Sequence, residues 1–202
     1  MGKAMLDALR FTLVALGLAL LATGGYYRIR SQRSGEALDR TREGWPLLIG
    51  IRLLGLLTAV STAAWLWTPA WFEWASLPVP LAWRWIGVTG LAADIAWLIW
   101  MFQSLGLNLT DTVVTRRNAF LVGHGPYRFV RNPMYLGILV MGATLGLALG
   151  TWLLPVLEGA TFTLLALRTQ IEERYLIERF GAHYQTYMNR VGRFFPKPPS
   201  WN

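Results

Sequence analysis

Five apolar runs divide this 202-residue chain, and they constrain its fold more than any other feature. They cover residues 11–27, 47–67, 81–102, 135–149 and 152–167. A helix needs about 20 predominantly apolar residues to cross a bilayer, and the first three runs meet that length. The last two are short and almost contiguous, which predicts a tight helical hairpin. We therefore predict an all-α, polytopic membrane protein with about five transmembrane helices, or four if the hairpin is re-entrant or the first run is cleaved.

The composition supports a membrane protein and excludes several kinds of site. Hydrophobic residues make up 54% of the chain and charged residues 15%, whereas a typical soluble domain has about 25% charged residues. The chain has no cysteine, so disulfides, zinc–thiolate sites and cysteine nucleophiles are excluded, and we predict no metal site. The formal net charge of +8 could indicate nucleic acid, but in so apolar a chain the basic residues are better interpreted as topology signals. The predicted partner is the lipid bilayer, not nucleic acid.

The distribution of lysine and arginine predicts the orientation. Residues 28–43, residues 106–133 and the tail after residue 167 are rich in arginine, whereas residues 68–80 and the turn near Gly150 contain no basic residue. Because basic loops stay on the cytoplasmic side, the C-terminus is predicted to be cytoplasmic, in a multi-pass protein of the bacterial inner membrane. A secretory signal peptide with cleavage near residues 22–24 is the alternative for the first run. Arg28, Arg30 and Arg33 directly after that run favour a membrane anchor instead.

Four ionisable residues fall within or beside the apolar runs. Asp94 lies near the middle of the third run, where a lone carboxylate is costly and normally faces a protein interior. Its predicted partner is Arg52 or Arg84, although both arginines lie near helix ends and could instead extend to the interface. Glu158 follows the hairpin turn and is predicted to reach the outer interface.

Two polar, motif-dense segments flank the hairpin. The first covers residues 123–137 and reads GHGPYRFVRNPMYLG, and the second covers residues 172–196 and reads EERYLIERFGAHYQTYMNRVGRFFP. Since the two short helices form a hairpin, both segments should emerge on the same side of the membrane. Pro133 is well placed to start a helix, and the free N–H groups of that first turn, with Arg131, would favour an anion. Arg168 and Glu172 are four residues apart and share a helix face, as in an ordinary surface pair.

These segments resemble the integral-membrane methyltransferases grouped around isoprenylcysteine carboxyl methyltransferase and the phospholipid N-methyltransferases. The family signature is G-P-Y-R-x-x-R-H-P-x-Y-x-G, a helical hairpin, then E-E-x-x-L and F-G-x-x-Y-x-x-Y. The matching positions here are Gly125, Pro126, Tyr127, Arg128, Arg131, Pro133, Tyr135 and Gly137, followed by Glu172, Glu173, Leu176, Phe180, Gly181, Tyr184 and Tyr187. The resemblance covers roughly residues 105–196. Asn132 stands where many members carry histidine, so no general-base role is transferred to that position.

The resemblance implies a methyltransferase that uses S-adenosyl-L-methionine without a Rossmann domain. It divides the chain into N-terminal membrane helices, residues 1–104, and a methyltransferase core, residues 105–202. The helix start at residues 131–133 suits the cofactor carboxylate, Glu172 or Glu173 the ammonium or ribose hydroxyls, and the tyrosines the adenine. The implied cofactor-binding residues are His124, Gly125, Pro126, Tyr127, Arg131, Asn132, Pro133, Tyr135, Glu172 and Glu173. The implied catalytic residues are Arg168 and Glu173.

The methyl acceptor stays open at this point. An acidic acceptor, as in the prenylcysteine enzymes, needs a cationic clamp, and Arg168 suits that role. An amine acceptor must first lose a proton, which favours a nearby glutamate as base, and a small lipophilic thiol is a third alternative. Membrane-bound, NADPH-dependent sterol reductases end in a similar block and form a further alternative, as does a non-enzymatic scaffold or small transporter. The sequence does not predict the oligomeric state.

Overall fold

The computed structural model describes residues 3–32, 45–106 and 121–198. These ranges contain six α-helices: α1 (Lys3–Gln32), α2 (Trp45–Trp67), α3 (Leu81–Leu105), α4 (Pro133–Leu149), α5 (Leu153–Phe180) and α6 (Ala182–Arg190). Short 3₁₀ helices cover Pro69–Ala75 and Gly125–Arg128. Within the described ranges there is no β-sheet, only two isolated bridges. The predicted all-α class is confirmed.

Among the described residues, three helices are long and apolar enough to cross a membrane: residues 4–30 of α1, α2 and α3. α4 is apolar but has only 17 residues, a length of about 25 Å against a hydrocarbon thickness of about 30 Å. α5 starts apolar and continues as one helix through the paired glutamates to Phe180. Large apolar side chains such as Phe11 and Trp67 are exposed, as lipid-facing side chains should be. The predicted polytopic architecture with a short C-terminal hairpin is therefore confirmed.

One end of the helical bundle joins the two loops that contain no basic residue. The amide N–H of Leu77 donates to the carbonyl of Gly150 at 2.7 Å, and Oγ1 of Thr151 donates to the carbonyl of Ala75 at 3.0 Å. The two motif segments meet at the opposite end, as the hairpin predicted. The basic residues Arg33, Arg40, Arg42, Arg116 and Arg117, on which part of the orientation argument depends, lie outside the described residues.

The predicted partner of Asp94 was wrong. Arg84 instead donates to the carbonyls of Val79 at 3.2 Å and Leu149 at 3.3 Å, so it stabilises the C-terminal end of α4. Asp94 is buried between α3 and α4, with one carboxylate oxygen close to the backbone of Gly137. Its other oxygen has no hydrogen-bond partner among the described residues. Glu158 is also buried, against Gly142 of α4, so the prediction that it reaches the outer interface was wrong as well.

Glycine allows the close approach of α3 and α4. A Cβ atom added to Gly87 would lie 2.5 Å from the backbone nitrogen of Ala148 and 2.7 Å from the carbonyl oxygen of Thr144. Because both atoms belong to the backbone, they cannot move aside as the end of a side chain could. The contact therefore sets the distance between the helix that carries Asp94 and the helix that starts at the candidate site.

We expect Gly87→Ala to destabilise the protein, by about 1–3 kcal/mol for an overpacked contact. Gly55→Ala is the matched control, since an added Cβ at Gly55 has no neighbour within 4 Å and both variants share the gain in helix propensity. Thermal unfolding in one detergent measures the difference between them. Equal midpoints for the two variants would contradict the close contact.

Candidate active site

The C-terminal segment pairs with the loop that precedes α4. Val130 and Gly192 form a parallel β-bridge, and the N–H of Arg131 donates to the carbonyl of Gly192 at 2.8 Å. The carbonyl of Arg193 accepts from the backbone N–H of Asn132 at 3.1 Å and from its side-chain amide at 3.2 Å. The backbone amides of residues 131 and 132, directly before the start of α4, therefore hold the tail in place.

Glu173 fastens this paired segment to α5. The carboxylate is buried, with 4% of the residue exposed, and it accepts from Nε and Nη2 of Arg131 at 3.1 and 2.8 Å. Arg193 donates to it from Nε at 3.2 Å and from Nη2 at 2.5 Å. Arg131 also donates to the carbonyls of Met188 and Val191. Both nitrogens of Arg131 donate to Oε1 of Glu173, whereas Arg193 uses both carboxylate oxygens and forms a bidentate pair. Charge-assisted hydrogen bonds of this kind are among the stronger ones in proteins, so this arrangement locks the loop, α5 and the tail into one unit.

Glu172, the neighbouring carboxylate, has a different environment. The hydroxyl of Tyr135 donates to its two oxygens at 2.8 and 2.9 Å. Nε of Arg168, one turn earlier on α5, lies 3.2 Å from Oε1 of Glu172. The side chains of Arg168 and Glu172 are 12% and 19% exposed, so the carboxylate of Glu172 is more accessible than that of Glu173, whose side chain is 5% exposed. A carboxylate, a guanidinium and a phenol thus converge where α4 begins and the apolar part of α5 ends.

Aromatic side chains surround the Glu172 cluster. The hydroxyl of Tyr187 donates to the carbonyl of Tyr127 at 2.6 Å, which ties α6 to the loop. Burial, with the nearby Tyr187 and Glu172, raises the pKa of Tyr127 above its usual range. Burial is also the main cause that raises the pKa of Tyr184, so both phenols stay protonated and uncharged at neutral pH. Phe194 brings the tail against Tyr135, with ring centroids 6.4 Å apart.

The remaining predicted site residues shape the loop. Gly125 has φ +61° and an added Cβ would overlap the hydroxyl of Ser104, so glycine lets the loop pack against the end of α3. Pro126 and Pro133 are buried. His124 precedes the 3₁₀ helix and is exposed, and its side chain makes no capping hydrogen bond. The structure therefore brings Tyr135, Arg168 and Glu172 together in one cluster and places Arg131, Asn132 and Glu173 in the support beneath the tail.

Sequence reasoning did not identify Arg193, the second partner of Glu173. The signal that could have found it is its position in the second motif segment, a basic residue between Gly192 and two phenylalanines. It contacts Glu173 only because the tail folds back after α6, and no helical spacing connects the two residues.

Comparison with known proteins assigns the chain to a family. The phospholipid methyltransferase family model matches residues 82–183, about half of the chain. Methanethiol S-methyltransferase 2 of Bradyrhizobium diazoefficiens is 32% identical over 142 residues, 62% of this chain and 53% of that protein. Protein-S-isoprenylcysteine O-methyltransferase of Schizosaccharomyces pombe is 29% identical over 97 residues, 46% of this chain and 41% of that protein. The chain thus spans about half the length of these relatives or less.

A solved structure shows the same fold. The eukaryotic intramembrane Ras methyltransferase ICMT (isoprenylcysteine carboxyl methyltransferase) superposes with a TM-score of 0.56 at 22% sequence identity. The likeness covers 72% of this chain and 51% of that one. The family match includes α3, the helical hairpin and both paired glutamates, so the resemblance expected from the motifs is confirmed. This chain belongs to the phospholipid methyltransferase family.

Proposed function

We propose that this protein is an S-adenosylmethionine-dependent integral-membrane methyltransferase that acts on a lipophilic acceptor, as isoprenylcysteine carboxyl methyltransferase does. The observation that carries the proposal is the cluster of Tyr135, Arg168 and Glu172 at the boundary between the apolar hairpin and the polar tail. Such a position is open to a water-soluble cofactor from one side and a lipid-borne acceptor from the other. We place this end of the bundle in the cytoplasm of a bacterial cell.

The residues of the cluster fit the polar groups of S-adenosylmethionine. The side chain of Glu172 is 19% exposed, so an ammonium or a ribose diol can reach it, whereas the side chain of Glu173 is 5% exposed and already receives four N–H donors. Tyr127, Tyr187 and Phe194 supply aromatic surface for a flat base. We therefore assign the cofactor contacts chiefly to Glu172 and the tyrosines, and a supporting role to Glu173, Arg131 and Asn132.

The protein would position the cofactor and the acceptor and would exclude water from the site. S-Adenosylmethionine would supply an activated methyl group on a sulfonium, a group that needs no metal to be transferred in line. The tail, locked by Glu173, covers the start of α4 and limits the access of water. Holding two reactants in line accounts for a large share of such a rate acceleration, and exclusion of water strengthens each charged contact within the site.

Arg168 favours an acceptor with negative charge. Its guanidinium can orient a carboxylate through two parallel hydrogen bonds, and a carboxylate acceptor needs no base. An amine or thiol acceptor would first have to lose a proton, and Glu172 is then the nearest base within the cluster.

A small thiol is the second candidate acceptor. The observation that favours it is the similarity to Methanethiol S-methyltransferase 2 of Bradyrhizobium diazoefficiens and to the Methanethiol S-methyltransferase of Pseudomonas deceptionensis, which is 38% identical over 71 residues, 35% of this chain and 26% of that protein. The same cluster of Tyr135, Arg168 and Glu172 would bind this acceptor, with the thiolate facing Arg168.

The test uses the full chain purified in a mild detergent. Calorimetry is expected to show binding of S-adenosylmethionine and no binding of NADPH. Transfer of a tritiated methyl group is then measured with three acceptors: an isoprenylcysteine analogue, a phospholipid amine and methanethiol. Glu172→Gln should weaken cofactor binding at least tenfold, the loss of a charge-assisted hydrogen bond. Glu178→Gln is the matched control, because Glu178 is exposed on the same helix. Binding of NADPH alone would contradict the proposal and favour a reductase.

A further inference from the structure

A groove separate from the Glu172 cluster lies between the loop before α4 and α6. It is open to water, has a volume of about 390 Å³, and is lined by Gly123, Arg128, His183, Thr186, Tyr187, Arg190 and Val191. No carboxylate lines it, whereas two arginines and a histidine do. Among the described residues, the lining of the groove therefore carries positive charge and no negative charge.

Both arginines are available to a ligand. The guanidinium carbon of Arg128 lies 4.5 Å from the ring centroid of Phe129 and 6.0 Å from that of Trp100, which fixes the cation without neutralising it. Arg190 ends α6, and neither arginine forms an ion pair with a carboxylate in the part of the chain that the structure describes. A basic residue in a last helical turn also stabilises the helix dipole, but that role does not apply to Arg128, which follows a single 3₁₀ turn.

The aromatic rings beside Arg128 indicate where the groove lies relative to the membrane. Trp100 and Phe129 are each 38% exposed, and Trp100 lies in the last part of a membrane-spanning helix. Exposed aromatic side chains at helix ends are typical of the membrane interface. The groove therefore opens at the level of the lipid headgroups, where phosphate groups are the abundant anions.

We propose that this groove binds a phosphate mono- or diester, either of an anionic lipid headgroup or of a soluble phosphate. Arg128 and Arg190 would donate to the phosphate oxygens, Thr186 would add a hydroxyl donor, and His183 would add an imidazole N–H donor. The site goes beyond methyl transfer and involves none of the residues to which we assign catalysis or cofactor contacts, except that Tyr187 lies along one wall.

The experiment measures binding by the detergent-solubilised full chain. Dihexanoyl phosphatidylglycerol, dihexanoyl glycerol without phosphate, and inorganic phosphate are titrated by calorimetry. We expect phosphatidylglycerol to bind at least tenfold more tightly than dihexanoyl glycerol, and the difference to shrink as salt concentration rises. Arg190→Gln and the double variant Arg128→Gln/Arg190→Gln should each reduce that difference at least tenfold. Arg174→Gln is the matched control, an exposed arginine on α5 that does not line the groove.

The outcomes separate the two sources and the possible failures. Tight binding of phosphatidylglycerol with weak binding of inorganic phosphate supports a lipid headgroup, and comparable binding of both, with the same dependence on the arginines, supports a soluble phosphate. If the single variant Arg190→Gln has the thermal unfolding midpoint of the wild type and also binds the phosphate ligands as the wild type does, the proposal is wrong. Displacement of the phosphate ligands by S-adenosylmethionine would assign the groove to the cofactor and also overturn it. Neither result bears on whether methyl transfer occurs.

Discussion

Glu173→Gln is expected to release the C-terminal segment and to destabilise the protein by about 3–5 kcal/mol, the usual cost of removing one partner from a buried ion pair. The amide that replaces the carboxylate would leave the buried guanidinium of Arg131, only 7% exposed, without its counter-charge. Hydrogen exchange of residues 182–198 and the thermal midpoint measure the release. Cofactor affinity should fall with it by at least tenfold, since the tail covers the site. Arg131→Ala should have a similar effect for the same reason.

Two controls distinguish support from direct cofactor contact. Glu178→Gln makes the same chemical change at an exposed position of the same helix and should change neither property. Arg193→Gln should be milder than Arg131→Ala, because the Arg193 side chain is 39% exposed and water can replace its partner. If Glu173→Gln instead loses cofactor binding while exchange of the tail and the thermal midpoint are unchanged, Glu173 contacts the cofactor itself, as the family resemblance implied.

The architecture was predictable because it depends on local sequence patterns. Apolar length defined three spans, and the short runs around Gly150 predicted the hairpin that brings the two motif segments to one end. The separate environments of Glu172 and Glu173 were not predictable. Adjacent residues on a helix point about 100° apart, and the sequence does not state which direction faces the tail. That direction is fixed by Arg131 and Arg193, which reach Glu173 from two other elements.

The partners of the buried acids could not be predicted for a related reason. Asp94 and Glu158 were located correctly within apolar helices, but their neighbours depend on the rotation of each helix about its axis. Close contacts at Gly137 and Gly142 set that rotation and turn both carboxylates toward α4. The sequence gives the position of such a residue along its helix and not the direction in which it faces.

Arg168→Lys is the variant expected to separate acceptor binding from cofactor binding. Arg168 lies one turn before Glu172 on α5, so its guanidinium contacts a carboxylate that we assign to the cofactor, at the end of the apolar part of that helix. Lysine keeps the positive charge that faces Glu172 but loses the planar fork that fits a carboxylate through two bonds. Cofactor affinity should therefore stay within about twofold of the wild type, while turnover on an acidic acceptor falls at least tenfold, the loss of one charge-assisted hydrogen bond.

Calorimetry measures the affinity for S-adenosylmethionine, and a methyl-transfer assay at saturating cofactor measures turnover. Arg174→Lys is the control, at an exposed position of the same helix. A single positive charge is enough to stabilise a thiolate, so a thiol acceptor predicts that Arg168→Lys keeps most of its turnover. Loss of cofactor affinity with normal turnover at saturation would instead place Arg168 in the cofactor site, and an amine or thiol acceptor would then be favoured. The variant thus tests the geometry of the acceptor group, because the charge beside Glu172 is the same in both proteins.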